Sequence, residues 1–464
     1  MSRVGVLDPD EPRYLSIGRA MVQTGDYITP HLWGSPWFEK PPLLYWMTSL
    51  GTFAGLGPEL SGRLPIALLS LSFLVAMFVL LRLEFGTHAA AVSTVLLSTS
   101  AGWLPYSSLA LTDLPMAAFF SLAVFLSLPL VRVQPGAMGR HTVRFLLIGM
   151  CLGFAALAKG LVPLALALPF AWFLRRWWKS WPVAIASVMF IALPWYVAVY
   201  LQNGNAFLQE FFWKHHFERL YSPTLQHVQP WYYYGPILLA AIFPWTPLVG
   251  LFTIRSRNWD QRRFFLAACF AFGLILFSIS LNKLPGYILP LLPAGFALLA
   301  ASVEWDRFTQ SQRLWLLPCA VLVGLLPLVS QALPDTLGAG RLTLPHHLNV
   351  GRTTLFYIVA PVAAILLGRR SWTGILLVLC LVAGALFLKI VSFPILDRSV
   401  SPRGVWRQIK NTPGTVCDEW LDRYWQYGLA FYRGDPYPAC DSGKFTFHLR
   451  SRGRGRPILE RAVP

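Results

Sequence analysis

Charged side chains are scarce in this chain. Of its 464 residues only 13% are charged, against 55% that are hydrophobic, whereas a soluble domain carries about 25%. A water-soluble fold could not cover its surface with so little charge, so soluble and disordered classes are excluded. Cysteine is scarce too, with six residues. Cys151, Cys269, Cys319 and Cys380 lie in apolar runs and read as small packed hydrophobes. Cys417 and Cys440 share a polar stretch and could close a disulfide in an oxidising compartment. No internal repeat of the inverted-transporter kind is visible. Proline and tryptophan are plentiful, at 36 and 19, which suits membrane helices and their interfaces.

Membrane spans follow from uncharged runs of roughly 17–25 residues. They occur at 64–81, 89–112, 114–131, 182–209, 231–254, 264–282, 284–303, 314–334, 353–368 and 371–388. The stretch 145–174 is interrupted only by Lys159. Arg140 and Arg144 precede it, and Arg175, Arg176 and Lys179 follow it. Basic clusters mark the cytoplasmic side, so the stretch is expected to be a hairpin with Lys159 near its outer tip. The fold class is therefore all-α and polytopic, with about twelve transmembrane helices.

The net charge of +18 sorts by side rather than pointing to nucleic acid. Arg82, Arg132, Arg255, Arg257, Arg262, Arg263, Arg307, Arg313, Arg369 and Arg370 fall on the inner side. The outer side receives residues 1–60, Asp113, Lys159, the loop 204–230, Lys283, the loop 335–352 and everything after about 392. Residues 1–60 contain no span and no signal peptide, so a further helix is expected upstream of them. Three regions result: a first external loop at 1–60, a transmembrane domain at 61–391, and a small extracytoplasmic domain at 392–464.

Residues 11–24 and 41–55 mix apolar and polar positions and read as helices lying in the interface, the second opened by Pro41-Pro42. The loop 204–230 holds Lys214, His215, His216, Glu218, Arg219 and His227, and Trp231, Tyr232, Tyr233 and Tyr234 follow. The C-terminal stretch reads as a small α/β domain. Arg450, Arg452, Arg454 and Arg456, separated by Ser and Gly, read as a disordered basic tail, suited to an anionic lipid surface.

Charge near lipid is costly, so its concentration on one face invites a functional reading. The outer face gathers Asp10, Glu11, Glu39, Lys40, Asp113 and Lys159. Opposite charges in one partly dehydrated pocket suit a reaction in which an anionic phosphate departs. Lysines would stabilise the leaving phosphate, and a carboxylate would accept a proton or steady positive charge on a sugar. Each piece alone has a plainer reading. Asp113 could be a helix cap, Glu39–Lys40 an interfacial ion pair, and Lys159 a snorkelling side chain.

An ordered series of motifs narrows the choice: Asp-Glu-Pro-Arg-Tyr (10–14), Gly-Asp-Tyr-Ile-Thr-Pro (25–30), Phe-Glu-Lys-Pro-Pro-Leu-Leu-Tyr-Trp (38–46), Leu-Thr-Asp-Leu-Pro (111–115), Leu-Ala-Lys-Gly (157–160), Leu-Pro-Trp-Tyr (193–196), His-His-Phe-Glu-Arg (215–219), Pro-Trp-Tyr-Tyr-Tyr (230–234) and Lys-Leu-Pro-Gly-Tyr-Ile-Leu-Pro (283–290). Together they resemble the aminoarabinose transferase and protein O-mannosyltransferase superfamily, of GT-C fold. The resemblance implies an enzyme of the bacterial inner membrane that moves a sugar from a polyprenyl-phosphate donor to a lipid or glycan acceptor, lipid A among the candidates, at the periplasmic face. It implies that Asp10 and Asp113 are catalytic, and that Lys40, Lys159, Arg219 and Tyr287 hold the donor or acceptor phosphate. Glu11, Glu39, His216 and Lys283 join the site, and Glu39 with His216 resembles a pair that holds a metal in some relatives. No other cofactor is implied. The chain departs from the family in lacking the usual first span and in a shorter C-terminal region, which leaves the acceptor open.

The competing class is a transporter or lipid flippase. Its charges should lie near the bilayer midplane on broken helices, whereas those singled out here lie at one face. A non-catalytic scaffold would not need Asp10, Asp113 and two lysines together.

Overall fold

The computed structural model describes residues 3–7, 9–132, 139–218, 228–251, 259–303, 310–339, 351–367, 370–451 and 455–462. Helix α1 (Asp10–Thr24) begins with Asp10 and Glu11 in its first turn, where carboxylates complement the helix dipole. It ends at Gly25, whose φ of 74° lets its N–H bond back to Met21 O at 2.9 Å. Strands β1 (His31–Leu32) and β2 (Ser35–Pro36) form a short hairpin. Helix α2 (Leu43–Phe53) then follows Pro41-Pro42. These are helices where the sequence leads us to expect them, at 11–24 and 41–55. They cross at Gly18, where a Cβ would lie 1.9 Å from Thr48 Oγ1, so only glycine allows that approach.

Helix α3 (Leu60–Ser98) is broken at Gly86, with φ 85° and ψ 168°. Its 39 residues would reach about 58 Å if straight, roughly twice a bilayer's apolar core, so the break separates two passes. The run 89–112 differs from its expected form, since it is helical only to Ser98. Beyond that point Ser98 Oγ and Thr99 Oγ1 bond to Val95 O, Ser100 Oγ bonds to Leu97 O, and Gly102 and Pro105 follow. Hydroxyl groups that compete for the backbone end the helix in turns.

The apolar runs take several forms. Among the described residues seven helices are long and apolar enough to cross a membrane, and Leu314–Gly324 with Leu326–Thr336 makes an eighth span bent by 50°. Other runs become shorter or broken helices, such as Val162–Phe173 and Thr354–Leu366. Helix α4 (Asp113–Arg132) sits at the centre, buried along most of its length. Helix α5 (Gly139–Lys159) packs between α4 and α8 (Trp181–Asn203), and the short helices α6 (Val162–Leu166) and α7 (Leu168–Phe173) lie between α5 and α8 in sequence. The expected hairpin is present, with Lys159 at its tip and Gly160 turning the chain at φ 68°. The loop at 204–230 differs from expectation, being helical over Asn205–Leu208 and Gln209–Glu218.

The C-terminal region is the small α/β domain anticipated. Strands β3 (Val416–Asp418) and β4 (Phe447–Arg450) pair in parallel, and β5 (Ile458–Arg461) pairs antiparallel to β4. Helices Pro402–Ile409 and Arg423–Arg433 cover the sheet around a core of Val405, Ile409, Trp425, Leu429 and Leu449. Cys417 and Cys440 are joined in a disulfide. Of the basic tail, Arg452 and Arg454 lie outside the described residues. Arg450 lies in β4 and bonds Glu419 and Glu460, Arg456 donates to Gln408 Oε1 at 2.9 Å, and Leu449 pairs with Leu459 across the strands. One cross-strand apolar pair, the two Arg450 ion pairs and the Arg456–Gln408 hydrogen bond hold the described parts of this stretch.

Candidate functional site

The charged groups converge at one end of the bundle. Asp113 opens α4, Lys159 closes α5, and Arg63 lies in the first turn of α3. The other ends hold Arg132 on α4 and the Glu84–Arg262 pair between α3 and helix Gln261–Ile279. The division of charges that the sequence suggests is therefore kept by the helices.

Within that end two carboxylate groups are organised differently. On α1 the buried Arg13 guanidinium reaches two acids: Nη2 bonds Asp10 Oδ1, and Nη1 donates to Glu39 Oε2 at 2.8 Å. The other oxygen of Glu39 accepts from Lys40 Nζ at 3.1 Å. Burial works against the charge on Arg13, but Glu39 and Asp10 outweigh it and hold its pKa above the ordinary value. The result is a chain of alternating charges, Asp10–Arg13–Glu39–Lys40, spanning the first turn of α1 and the segment before α2. Tyr45 is fully buried beside it, and burial pushes its phenol well above its usual pKa.

The second group spans α4, α5 and the turn at 285–291. Lys159 Nζ donates to Asp113 Oδ1 at 2.5 Å and lies 4.7 Å from the centre of the Tyr287 ring. Gly286 fits beneath this pair, since a Cβ there would come within 2.9 Å of Asp113 Oδ1 and 2.6 Å of the Tyr106 hydroxyl. The Tyr234 hydroxyl donates to Leu284 O at 3.2 Å and fixes the same turn. That contact gives the aromatic run at 231–234 its place, while Trp231 and Tyr232 remain exposed.

Glu11 links the groups without facing outward. It is fully buried, accepts from Arg63 Nε and Nη2 at 2.7 Å each, and also accepts from Leu7 N and Ala110 N. Arg63 turns its remaining N–H groups to Val4 O and Gly5 O. One ion pair thus ties the N-terminal segment, α1, α3 and the turn three residues ahead of Asp113. Sequence reasoning placed Glu11 within the site, and the structure makes it the pin beneath it.

Lys283 is likewise internal. Its Nζ donates to Gln229 O at 3.0 Å and Ser280 O at 2.5 Å, and burial lowers its pKa. It holds two backbone segments together. Arg219 and the side chain of His216 lie outside the described residues. Glu39, the expected metal-binding partner of His216, already stands between Arg13 and Lys40, and two cations at its oxygens disfavour a third positive charge. Cys417, Cys440 and His448 lie close enough to suggest a metal cluster. The two sulfurs are bonded to each other, however, and His448 Nδ1 meets Glu419 at 2.5 Å.

Arg13, Arg63 and Tyr427 were not singled out from sequence. Arg13 had a signal, standing three residues after Asp10 on one helix face. Arg63 and Tyr427 had none, because their partners are distant in the chain.

Comparison with known proteins agrees with this architecture. A family model for dolichyl-phosphate-mannose-protein mannosyltransferases matches residues 4–207. The undecaprenyl phosphate-alpha-4-amino-4-deoxy-L-arabinose arabinosyl transferase of Pseudomonas aeruginosa (strain UCBPP-PA14) is 33% identical over 327 residues, covering 67% of this chain and 58% of that protein. The transferase of the same name from Serratia proteamaculans (strain 568) is 31% identical over 349 residues, covering 73% and 62%. The chain thus spans about three fifths of the length of these curated relatives. ArnT from Cupriavidus metallidurans bound to undecaprenyl phosphate superposes with a TM-score of 0.74 at 20% identity, over 98% of this chain and 94% of that one. Its apo state gives 0.72 at 22%, over 97% and 89%. At that identity the likeness establishes the fold, of GT-C type. Joined to the sequence matches, it shows that the chain belongs to the aminoarabinose transferase and protein O-mannosyltransferase superfamily.

Proposed function

We propose that this chain is a membrane glycosyltransferase that moves a sugar from a polyprenyl-phosphate donor to a lipid or glycan acceptor at the periplasmic face of the bacterial inner membrane. The observation that carries the reading is the pair of carboxylate–cation groups, Asp10–Arg13 and Asp113–Lys159, gathered at one end of the bundle. The names of the relatives favour undecaprenyl phosphate as the carrier, an aminoarabinose-like sugar and lipid A as the acceptor.

In this reading the acceptor oxygen attacks the anomeric carbon as the bond from that carbon to the phosphate oxygen breaks, and the electron pair leaves with the phosphate. Asp10, the more exposed of the two acids at 34% against 18% for Asp113, takes the acceptor's proton. Arg13 keeps it oriented. Lys159, Lys40 and Arg219 stabilise the departing phosphate, with Tyr287 beside Lys159. A single displacement inverts the anomeric centre. No step passes through a metal, because Glu39 is already matched to two cations. Charges at one end rather than at mid-bundle argue against a transporter.

The test is transfer of labelled sugar from polyprenyl-phosphate donors to envelope lipids by the purified protein in vesicles. Transfer by the wild type that is lost in Asp113→Asn supports the reading. Donor movement across the bilayer without transfer would instead identify a flippase.

A further inference from the structure

Tyr427 belongs to the C-terminal domain, yet it enters the carboxylate group of the first loop. Its ring lies 5.2 Å from the Arg13 guanidinium, which Trp37 also faces at 5.4 Å. The same ring packs on Trp33 at 5.5 Å, and Arg423 lies 5.2 Å from it. Trp33 stands at the tip of the β1–β2 hairpin with φ of 49°, in the left-handed region that a bulky residue rarely adopts. Such a conformation persists where its surroundings enforce it, and here it sets the indole against Tyr427.

Arg13 needs this support. Along its edge it reaches Asp10, Glu39 and Pro9 O, the last at 3.3 Å from Nε. Those bonds leave the guanidinium faces to be fixed by other groups, and aromatic rings are the groups that hold a guanidinium by its face. The helix that carries Tyr427 is anchored independently of it. Arg19 donates to Phe431 O at 3.1 Å, the Tyr432 hydroxyl donates to Glu59 at 2.7 Å, and Arg403 pairs with Glu59 at 3.2 Å. Removing the Tyr427 ring therefore leaves the domain docked.

We propose that Tyr427 is a positioning residue for the transfer reaction: the C-terminal domain, through this ring, fixes the plane of Arg13 and thereby the direction of the Asp10 carboxylate. The inference rests on the glycosyltransferase reading and gives the C-terminal domain a part in it. Tyr427→Leu should lower kcat about 3- to 10-fold with acceptor KM unchanged, the scale of a cation–π contact. Tyr427→Phe, which keeps the ring, should stay within about twofold of wild type. In an Arg13→Lys background, where the planar fork is gone, Tyr427→Leu should add less than about twofold. Trp33→Leu, which unseats the ring from the other side, should act in the same direction as Tyr427→Leu and more weakly.

The test is steady-state transfer kinetics on the full chain for this set, with melting temperatures as the control for folding. Wild-type kcat in both Tyr427→Leu and Trp33→Leu overturns the proposal. So does a loss that is as large in the Arg13→Lys background, or one that appears only in KM, which would place Tyr427 against the acceptor. Absence of transfer by the wild type would fail the glycosyltransferase reading instead, and is recognised without any variant.

Discussion

Asp10 and Glu11 are neighbours in one helical turn, and both are paired with arginine, yet they occupy opposite environments. Glu11 is fully buried, bonded through both oxygens to Arg63 and to two backbone N–H groups. Asp10 keeps a third of its side chain open and meets Arg13 through Oδ1. A fully buried carboxylate that accepts four hydrogen bonds holds structure, whereas one that keeps part of its surface open can meet a substrate. On the proposed function the two should therefore fail in different ways: one in rate, the other in folding.

The largest expected effect is on rate. Asp10→Asn should lower kcat about 10²- to 10⁴-fold, the contribution of a general base, with the melting temperature preserved. Glu11→Gln should do the reverse. Breaking a buried ion pair costs about 3–5 kcal/mol, so the protein should lose accumulation and thermal stability in detergent, while folded molecules keep measurable turnover. If Glu11→Gln is as stable as wild type but inactive, the contrast is broken and Glu11 joins the chemistry.

A smaller loss is expected at the second acid's partner. Lys159→Met removes the cation facing Asp113 and Tyr287 and should cost about 10- to 100-fold in kcat, read from the same transfer assay. The disulfide sharpens the comparison from farther away. Cys417→Ser with Cys440→Ser should destabilise the C-terminal domain by about 2–4 kcal/mol, detected as earlier protease cleavage after residue 400, with kcat changed less than about threefold while the domain stays folded. Smallest of all is chelation. A strong chelator should leave transfer within about twofold, because Glu39 is engaged by two cations. A loss restored by a divalent ion would return Glu39 and His216 to the role of metal ligands.

The longest spans are legible in the sequence because lipid demands long uncharged runs, although among the described residues seven or eight form rather than about twelve. The sequence made the hairpin at Lys159 legible through the basic clusters at its two ends. What it could not show depends on contacts between distant residues. Run 89–112 looks continuous by composition, and only the hydroxyl groups at 98–100 bending back onto their own carbonyls end the helix. Asp10 and Glu11 cannot be told apart by pattern, since which one turns inward depends on Arg63, fifty-two residues later. Lys283 opens a site motif, yet two carbonyls accept hydrogen bonds from its ammonium. Arg450 and Arg456 look like tail residues by composition, yet Glu419, Glu460 and Gln408, all distant or cross-strand partners, hold them. Tyr427 sits in a helix whose own apolar stripe explains it, so nothing local signals its reach to Arg13.

The most direct test of the central claim is single-turnover transfer from a labelled polyprenyl-phosphate sugar by purified wild type and Asp10→Asn, both verified as folded. The account predicts rapid transfer by the wild type and a loss of at least about 100-fold in the variant, with donor binding retained. Equal single-turnover rates in the two proteins would contradict it and remove Asp10 from the reacting groups.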